Sequence, residues 1–290
     1  MSGQAGRLPR SSMLPMFLPA TPGARFCLYH APAPGRACRG GFVYVQPFAE
    51  EMNRSRRMAS LQAAALAEAG FGVLVIDLLG CGDSSGDSGD ATWPQWQADV
   101  LLALRWLRSQ LQAPVGLWGL RLGALLALDV ARMQPHEVDA LLLWNPVLDG
   151  KSFMTQFLRL RLAAGLTGAH GQGAPAGGVK DLRAQLEAGQ MLEIAGYDLN
   201  PALAHAIDAL QASALTPPPI PCHWLEVVRD ADAPPAPAQS AVLEQWHARQ
   251  APARLHQVAG PAFWSTPEIT SCQPLIELSC ALALEGLRDA

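Results

Sequence analysis

A tight turn at Gly119-Leu120-Arg121-Leu122-Gly123 constrains the fold of this 290-residue chain more than any other feature. The apolar residues 114–118 before it are typical of a buried strand, and the Ala- and Leu-rich residues 122–133 after it have helical character. Glycines at both ends suit a strained backbone and a helix packed closely on a sheet. In this context a Gly-x-Ser-x-Gly turn projects a reactive serine. The central residue here is Arg121, whose protonated guanidinium cannot attack a carbonyl.

Strand-like and helix-like segments alternate regularly between residues 42 and 146. The apolar runs 42–45, 73–76 and 140–144 are typical of strands that are covered on both faces. Residues 55–70 and 93–111 between them repeat apolar side chains at spacings of three and four, as helices do. This alternation predicts a mostly parallel sheet with right-handed crossovers.

The alternation breaks between about residues 153 and 219 and resumes with the strand-like residues 222–228. Residues 165–178 are small and predicted to be flexible, whereas 181–194 and 200–214 are predicted to form short amphipathic helices. We therefore expect three parts along the chain. They are a flexible leader (1–23), an α/β core (24–152 and 220–290) and a lid-like insertion over the sheet (153–219).

Charge and cysteine content exclude several classes of partner. The chain has 21 basic and 25 acidic residues and no basic block, so nucleic acid is not an expected partner. None of the six cysteines lies in a Cys-x-x-Cys pair or near a companion histidine, so we expect no metal site, no cofactor and no disulfide framework. Without a signal-like segment or an apolar stretch of ~20 residues, we expect a cytoplasmic protein with no membrane span.

Three loops carry a resemblance to the α/β-hydrolase fold over roughly residues 24–288. Residues 46–51 (Gln-Pro-Phe-Ala-Glu-Glu) stand where that fold has its oxyanion loop, residues 77–84 match an Asp-x-x-Gly-x-Gly-x-Ser loop, and the turn at Arg121 matches the nucleophile elbow. The resemblance implies an α/β-hydrolase-like, mostly parallel sheet with helices on both faces and a helical lid-like insertion. It also implies a hydrolase, of the carboxylic-ester type.

A narrower resemblance concerns residues 46–58, the elbow, and Phe263-Trp264 followed by Pro267-Glu268-Ile269. Together these segments are similar to the second type of exosortase-system-associated hydrolases, which are encoded in bacterial exopolysaccharide and protein-sorting loci. This resemblance implies that the chain acts in an exosortase (PEP-CTERM) or exopolysaccharide system.

The catalytic residues of the family pattern are incompletely matched. The pattern implies an acid after the strand at 222–228, for which Asp230 or Asp232 is a candidate, and a histidine after the last strand. The sequence has no histidine beyond His256, and His256 lies within the last strand-like segment (254–259), not after it. Without a nucleophile and a base, the proton transfers of a Ser-His-Asp triad cannot occur. Cys81 is a candidate thiol nucleophile beside the elbow. Its loop usually has a structural role, which favours a packed and unreactive thiol.

Arg121 has two interpretations that the sequence leaves open. The first is a structural ion pair with Glu50, Glu51 or Asp230, since a buried guanidinium requires a partner. The second is an anion or carboxylate clamp at a helix N-terminus. The candidate binding residues around this position are Arg121, Leu120, Gln46, Phe48, Glu50 and Glu51.

Three functional classes follow from these observations. The first is a non-catalytic protein that binds an anionic or acyl small molecule or a partner, such as a paired hydrolase of the same system. The second is an unconventional hydrolase or acyltransferase acting on an ester or acyl substrate. The third is a purely structural partner of another enzyme. The absence of the elbow serine and of a late histidine favours the first and the third.

Overall fold

The computed structural model describes residues 13–166 and 177–287. Most of the segment expected to be small and flexible, 165–178, lies outside these residues. The strands are β1 (Met13–Pro19), β2 (Ala24–His30), β3 (Gly40–Val45), β4 (Phe71–Ile76), β5 (Val115–Leu120), β6 (Leu141–Trp144), β7 (Leu192–Ile194), β8 (Tyr197–Leu199), β9 (Cys222–Val228) and β10 (Ala253–Ala259). The helices are α1 (Glu50–Glu68), α2 (Trp93–Leu111), α3 (Leu122–Met133), α4 (Gly150–Leu166), α5 (Val179–Glu187), α6 (Pro201–Asp208), α7 (Pro237–Ala248) and α8 (Gln273–Gly286).

Eight strands of the described residues form one sheet, in the order β1-β2-β4-β3-β5-β6-β9-β10. From β4 to β10 all neighbours are parallel, while β2 is antiparallel to both β1 and β4. The strand of the elbow, β5, lies in the interior of the sheet between β3 and β6. The predicted α/β-hydrolase fold with a mostly parallel sheet is confirmed.

Helices cover both faces of this sheet. On one face, α1 and α8 bury Met58, Leu66, Leu275 and Leu282 against the strands. On the other face, α2, α3 and α7 contribute a second apolar cluster, whose members include Leu104, Leu125 and Trp246. The strands between these layers are almost continuously apolar because both of their faces are covered.

The leader differs from its expected form. Residues 13–19, which we expected in a flexible segment, form β1 and pair with β2 from Met13↔His30 to Pro19↔Ala24. Leu18 of β1 is buried in the core, which gives this strand an apolar anchor. The prolines of the segment suggested a coil, but proline is tolerated in an edge strand, where one side of the backbone has no partner.

The inserted residues lie over the carboxyl edge of the parallel strands. Phe153 and Phe157 of α4 pack edge to face on Phe48, in the loop after β3. The helix predicted for 181–194 ends at Glu187, and β7 and β8 form a small hairpin instead. Ala195 and Gly196 at its turn both have positive φ angles, as a two-residue hairpin turn requires. Within the described residues, no helix is both long and apolar enough to span a bilayer.

Candidate functional site

The elbow holds Arg121 in a strained backbone conformation. Its φ and ψ angles are 56° and −117°, between the end of β5 and the start of α3, and its N–H donates to the carbonyl oxygen of Trp144 at 2.9 Å. A Cβ atom on Gly123 would lie 2.3 Å from the carbonyl oxygens of both Val45 and Gln46. Glycine is therefore required where α3 approaches the end of β3.

The Arg121 side chain is fixed by three contacts. Its Nε donates to Glu51 Oε1 at 3.2 Å, and its Nη1 donates to the carbonyl oxygen of Asn145 at 3.3 Å. Its Cζ lies 5.6 Å from the ring centroid of Trp264, within the range of a cation–π contact. The side chains of Arg121 and Glu51 are each 22% exposed. The pair is thus partly desolvated but still reaches solvent.

Glu51 is incompletely satisfied in this arrangement. Its Oε2 is buried and has no hydrogen-bond partner among the described residues. Burial raises the pKa of Glu51 above its ordinary value, while the charge of Arg121 and its hydrogen bond act in the opposite direction. The guanidinium therefore favours the ionised form of this carboxylate, against the larger effect of burial.

A second carboxylate, Glu226 in β9, lies near Arg121 and was not anticipated from the sequence. It is 7% exposed, and its two oxygens accept hydrogen bonds from Trp224 Nε1 and Asn145 Nδ2, both at 2.6 Å. Burial raises the pKa of Glu226 to about 6, against the opposing effects of these hydrogen bonds and of Arg121. The available signal was one acidic residue in a mostly apolar strand segment, because such a group requires buried partners.

Two spaces open on either side of the elbow. The first, which we call the Arg121 cleft, has a volume of about 310 Å³ and contains both Arg121 and Glu226. Its other lining residues are Pro146, Val147, Leu148, Asp149, Ser152, Phe153, Gln156 and Gln239. The second, the apolar cavity, measures about 80 Å³ and is bordered by Leu122 and Gly123 at the start of α3. Phe48 lines the apolar cavity and packs against Phe153 of the cleft, so aromatic rings separate the two spaces.

The other candidate binding residues are distributed unevenly around the elbow. Gln46 and Phe48 line the apolar cavity, whereas Leu120 is fully buried in the core and borders neither space. Glu50 is exposed and contacts Arg54 and the hydroxyl of Tyr197 instead of Arg121. Of the three predicted carboxylate partners, the structure brings only Glu51 to Arg121.

The candidate catalytic acids lie apart from the elbow contacts. Asp230 and Asp232 are both exposed, and Asp230 Oδ1 accepts a hydrogen bond from the Asp232 N–H within the loop after β9. Neither lines the Arg121 cleft. The predicted alternative of an Arg121–Asp230 pair is therefore not formed, because this loop turns into solvent instead of over the sheet edge.

The remaining candidate nucleophile and base are not arranged for acyl transfer. Cys81 borders the apolar cavity, but burial raises the pKa of its thiol to about 12, which leaves it protonated at neutral pH. His256 lies within β10, where its Nε2 is 3.2 Å from Nδ1 of His223. No group of three metal-ligating side chains converges in the part of the chain that the structure describes.

The sheet order, the strained turn after β5 and the inserted helices define an α/β-hydrolase fold with arginine at its elbow. Residues 47–208 match the family model described as serine aminopeptidase, S33. The chain belongs to this family. No curated protein sequence matches it.

Solved structures of the same fold align over nearly the whole chain. Est1E of Butyrivibrio proteoclasticus with bound ferulic acid has a TM-score of 0.65 at 16% identity and covers 94% of this chain and 98% of its own. A soluble variant of monoglyceride lipase from Saccharomyces cerevisiae, in complex with a substrate analogue, has a TM-score of 0.63 at 11% identity, with 99% of both chains covered. A putative hydrolase from Agrobacterium vitis S4 has a TM-score of 0.58 at 19% identity, covering 95% of this chain and 100% of its own. At these identities the likeness concerns the fold alone.

Proposed function

We propose that this protein binds an anionic or acyl small molecule at Arg121 and does not hydrolyse esters through a Ser-His-Asp triad. The observation that carries the proposal is the position of Arg121. It occupies the elbow apex, where the fold would present a nucleophile, and its guanidinium borders an open cleft. A cation at that point attracts a carboxylate or phosphate instead of attacking a carbonyl.

The contacts of Arg121 leave part of its guanidinium available to a ligand. Glu51 engages Nε with one oxygen, and Asn145 accepts from Nη1. Nη2 donates no hydrogen bond to any residue in the described ranges, and the side chain lines the Arg121 cleft. The outer part of the fork can therefore receive an anion while the pair with Glu51 persists.

The alternative function, an unconventional hydrolase or acyltransferase, requires another nucleophile. The thiol of Cys81 is the candidate beside the elbow, and its raised pKa of about 12 removes the thiolate that catalysis would need. The sequence also has no histidine after His256 to act as a base at the end of β10. These features favour binding over turnover.

We further propose that the protein acts in the cytoplasm as part of a bacterial exosortase or exopolysaccharide system, with a paired hydrolase as its partner. The resemblance of residues 46–58, the elbow and 263–269 to the exosortase-associated hydrolases supports the system. The six cysteines, all free, support a reducing compartment. In the bacterial host, loss of the gene is expected to alter exopolysaccharide export or surface-protein sorting. An Arg121→Gln allele should share that phenotype, and a normal phenotype in the deletion strain would contradict the assignment.

Thermal melting with a short fatty acid tests the binding function. Hexanoate is expected to raise the melting midpoint of the wild type, because a ligand that binds only the folded state stabilises it. Arg121→Gln should lose this shift. Arg132→Gln is the matched control, since Arg132 lies on the same helix α3 and pairs with Asp129 away from the cleft. Equal shifts in both variants, or no shift in the wild type, would refute binding at Arg121.

A further inference from the structure

The Arg121 cleft carries more negative than positive charge. Of the lining residues that the structure describes, Arg121 alone is cationic, whereas Glu226 and Asp149 both line the cleft, and Glu51 already engages the guanidinium. Hydrogen bonds from Ser152 hold the pKa of Asp149 below its ordinary value, so this group stays ionised. An anion that enters the cleft therefore meets a net negative site unless one carboxylate takes up a proton.

Glu226 is connected to the Arg121 guanidinium through one intervening residue. Asn145 connects the two groups, because its carbonyl oxygen accepts from Arg121 Nη1 at 3.3 Å and its Nδ2 donates to Glu226 Oε2 at 2.6 Å. No ion pair joins Glu226 to Arg121 within the described residues. Glu226 thus lies within the field of the guanidinium without being fixed in its ionised form by a direct contact.

The other groups that face Glu226 are neutral. Trp224 donates to it from the same strand, Gln239 reaches it from α7, and Gln257 stands opposite it in β10. The charged groups that border the same cleft are Arg121 and Asp149, with Glu51 behind Arg121. Lys151 acts on Asp149 and helps to lower its pKa, but it does not line the cleft. The negative charge of a ligand bound to Arg121 therefore repels the ionised form of Glu226, and other cations compensate this repulsion little.

We propose that the Arg121 cleft binds a monocarboxylate together with one proton. The ligand carboxylate pairs with Arg121, and the proton is taken up by Glu226. This inference rests on the proposed function and names its ligand class. Each Glu226 oxygen has a second lone-pair position, so protonation preserves the bonds from Trp224 and Asn145. The neutral carboxyl no longer repels the ligand and gains a donor for it.

The same arrangement discriminates against doubly charged anions. One proton on Glu226 balances one ligand charge, whereas a second ligand charge would face Asp149 and Glu51 with no second cation among the described lining residues. Val147, Leu148 and Phe153 line the cleft beside Arg121 and provide apolar contacts for a short alkyl chain. A monocarboxylate with such a chain fits both properties.

Burial supports Glu226 as the acceptor because it raises the pKa of this carboxyl to about 6, so that an added negative charge brings protonation into the neutral range. Glu51 also has a raised pKa, but it accepts a direct hydrogen bond from Arg121 Nε, which favours its ionised form. Experiments on variants can show which of the two carboxylates takes up the proton.

Isothermal titration calorimetry of hexanoate in two buffers of different ionisation enthalpy tests the proposal on the wild-type protein. We expect uptake of at least about half a proton per bound hexanoate at neutral pH, and a Kd that rises about threefold to tenfold per pH unit above pH 6.5. Hexyl phosphate, with the same chain and nearly two charges at pH 7.5, should bind at least about tenfold more weakly. Binding of hexanoate without proton uptake would overturn this inference and leave the proposed function intact.

Three variants assign the proton. Glu226→Gln should bind hexanoate without proton uptake and with a Kd that changes less than about twofold over the same pH range. Asp149→Asn removes one charge from the same cleft and should tighten binding while keeping the pH dependence. If Glu51→Gln instead abolishes proton uptake and Glu226→Gln retains it, the proton resides on Glu51 and the inference is wrong. Absence of hexanoate binding to the wild type at every pH would refute the proposed function itself.

Discussion

Arg121 and Glu51 are 70 residues apart in the sequence and form an ion pair of 3.2 Å at the carboxyl edge of the sheet. Glu51 is the second residue of α1, which follows β3, and Arg121 follows the neighbouring parallel strand β5. The two helices therefore begin side by side, and one bond connects their first turns. The contact joins the start of α1 to the elbow.

Removal of the guanidinium is expected to destabilise the fold. Arg121→Ala leaves Glu51 without its counter-ion, and Glu51 Oε2 already has no hydrogen-bond partner among the residues that the structure describes. Because both side chains are 22% exposed, we expect a loss of about 1–3 kcal/mol, between the values of exposed and fully buried pairs. Urea unfolding measures it, and a double-mutant cycle with Glu51→Gln isolates the pair. An unchanged free energy of unfolding would show that the guanidinium is solvated and contributes only to ligand binding.

Serine at the elbow is not expected to create an esterase. Arg121→Ser supplies the hydroxyl, but no histidine follows β10 to remove its proton, and general-base catalysis accounts for about 10²–10⁴-fold in rate. Hydrolysis of p-nitrophenyl butyrate by the variant should equal that of the wild type. A fluorophosphonate probe should label neither protein. Stoichiometric labelling of any serine would contradict the proposed absence of a working triad.

The stability of the protein should depend on pH through Glu226. Its pKa in the folded state is raised from 4.5 to about 6, so as pH rises the unfolded chain ionises this carboxyl first. The stabilising contribution is therefore complete below about pH 4.5 and is lost as pH rises through about 6, by about 2 kcal/mol.

Glu226→Gln cannot titrate and provides the comparison for this effect. The free energy of unfolding of the wild type minus that of the variant should fall by about 2 kcal/mol between pH 4 and pH 7.5. Urea unfolding at the two pH values gives this difference. A constant difference would mean that Glu226 has an ordinary pKa in the folded protein.

Alkylation distinguishes an inert from an activated Cys81. Burial raises the pKa of this thiol to about 12, whereas Cys38 is exposed. Iodoacetamide at pH 8 should modify Cys38 first and reach Cys81 only when the chain unfolds, since the thiolate is the reactive form. Peptide mass spectrometry reads out both sites. Modification of Cys81 before Cys38 would show a reactive thiol and would support the alternative function as a hydrolase or acyltransferase.

The fold could be predicted from the sequence because its signals are local. Alternating strand and helix periodicities between residues 42 and 146, with a glycine-bounded turn at Arg121, require nothing beyond neighbouring residues to be recognised. Two features were not predicted. One is β1, because its prolines are typical of coil segments, and the other is the hairpin of β7 and β8, whose strands have three residues each. Such short or proline-containing strands depend on tertiary contacts for their definition.

The site was only partly predictable because it depends on which side chains are placed close enough to contact Arg121 in the folded protein. Loops after adjacent parallel strands converge at one edge, which placed Glu51 among three candidates, but strand order alone does not distinguish it from Glu50 or Asp230. Glu226 was missed because a residue inside a strand is first assigned to the core. Its hydrogen bonds to Trp224 and Asn145 come from folding and not from a motif.

Trp264 opposes the introduction of a histidine beside the elbow while Arg121 is present. Its indole is 8% exposed and lies over the guanidinium, in the segment where the resemblance places a histidine. A histidine there would leave part of that packed volume empty and set an imidazole beside a cation, whereas serine at 121 would orphan Glu51. Histidine at 264 is therefore unfavourable while Arg121 is present, and a designer who installs a triad here must replace both residues and provide Glu51 with a new partner.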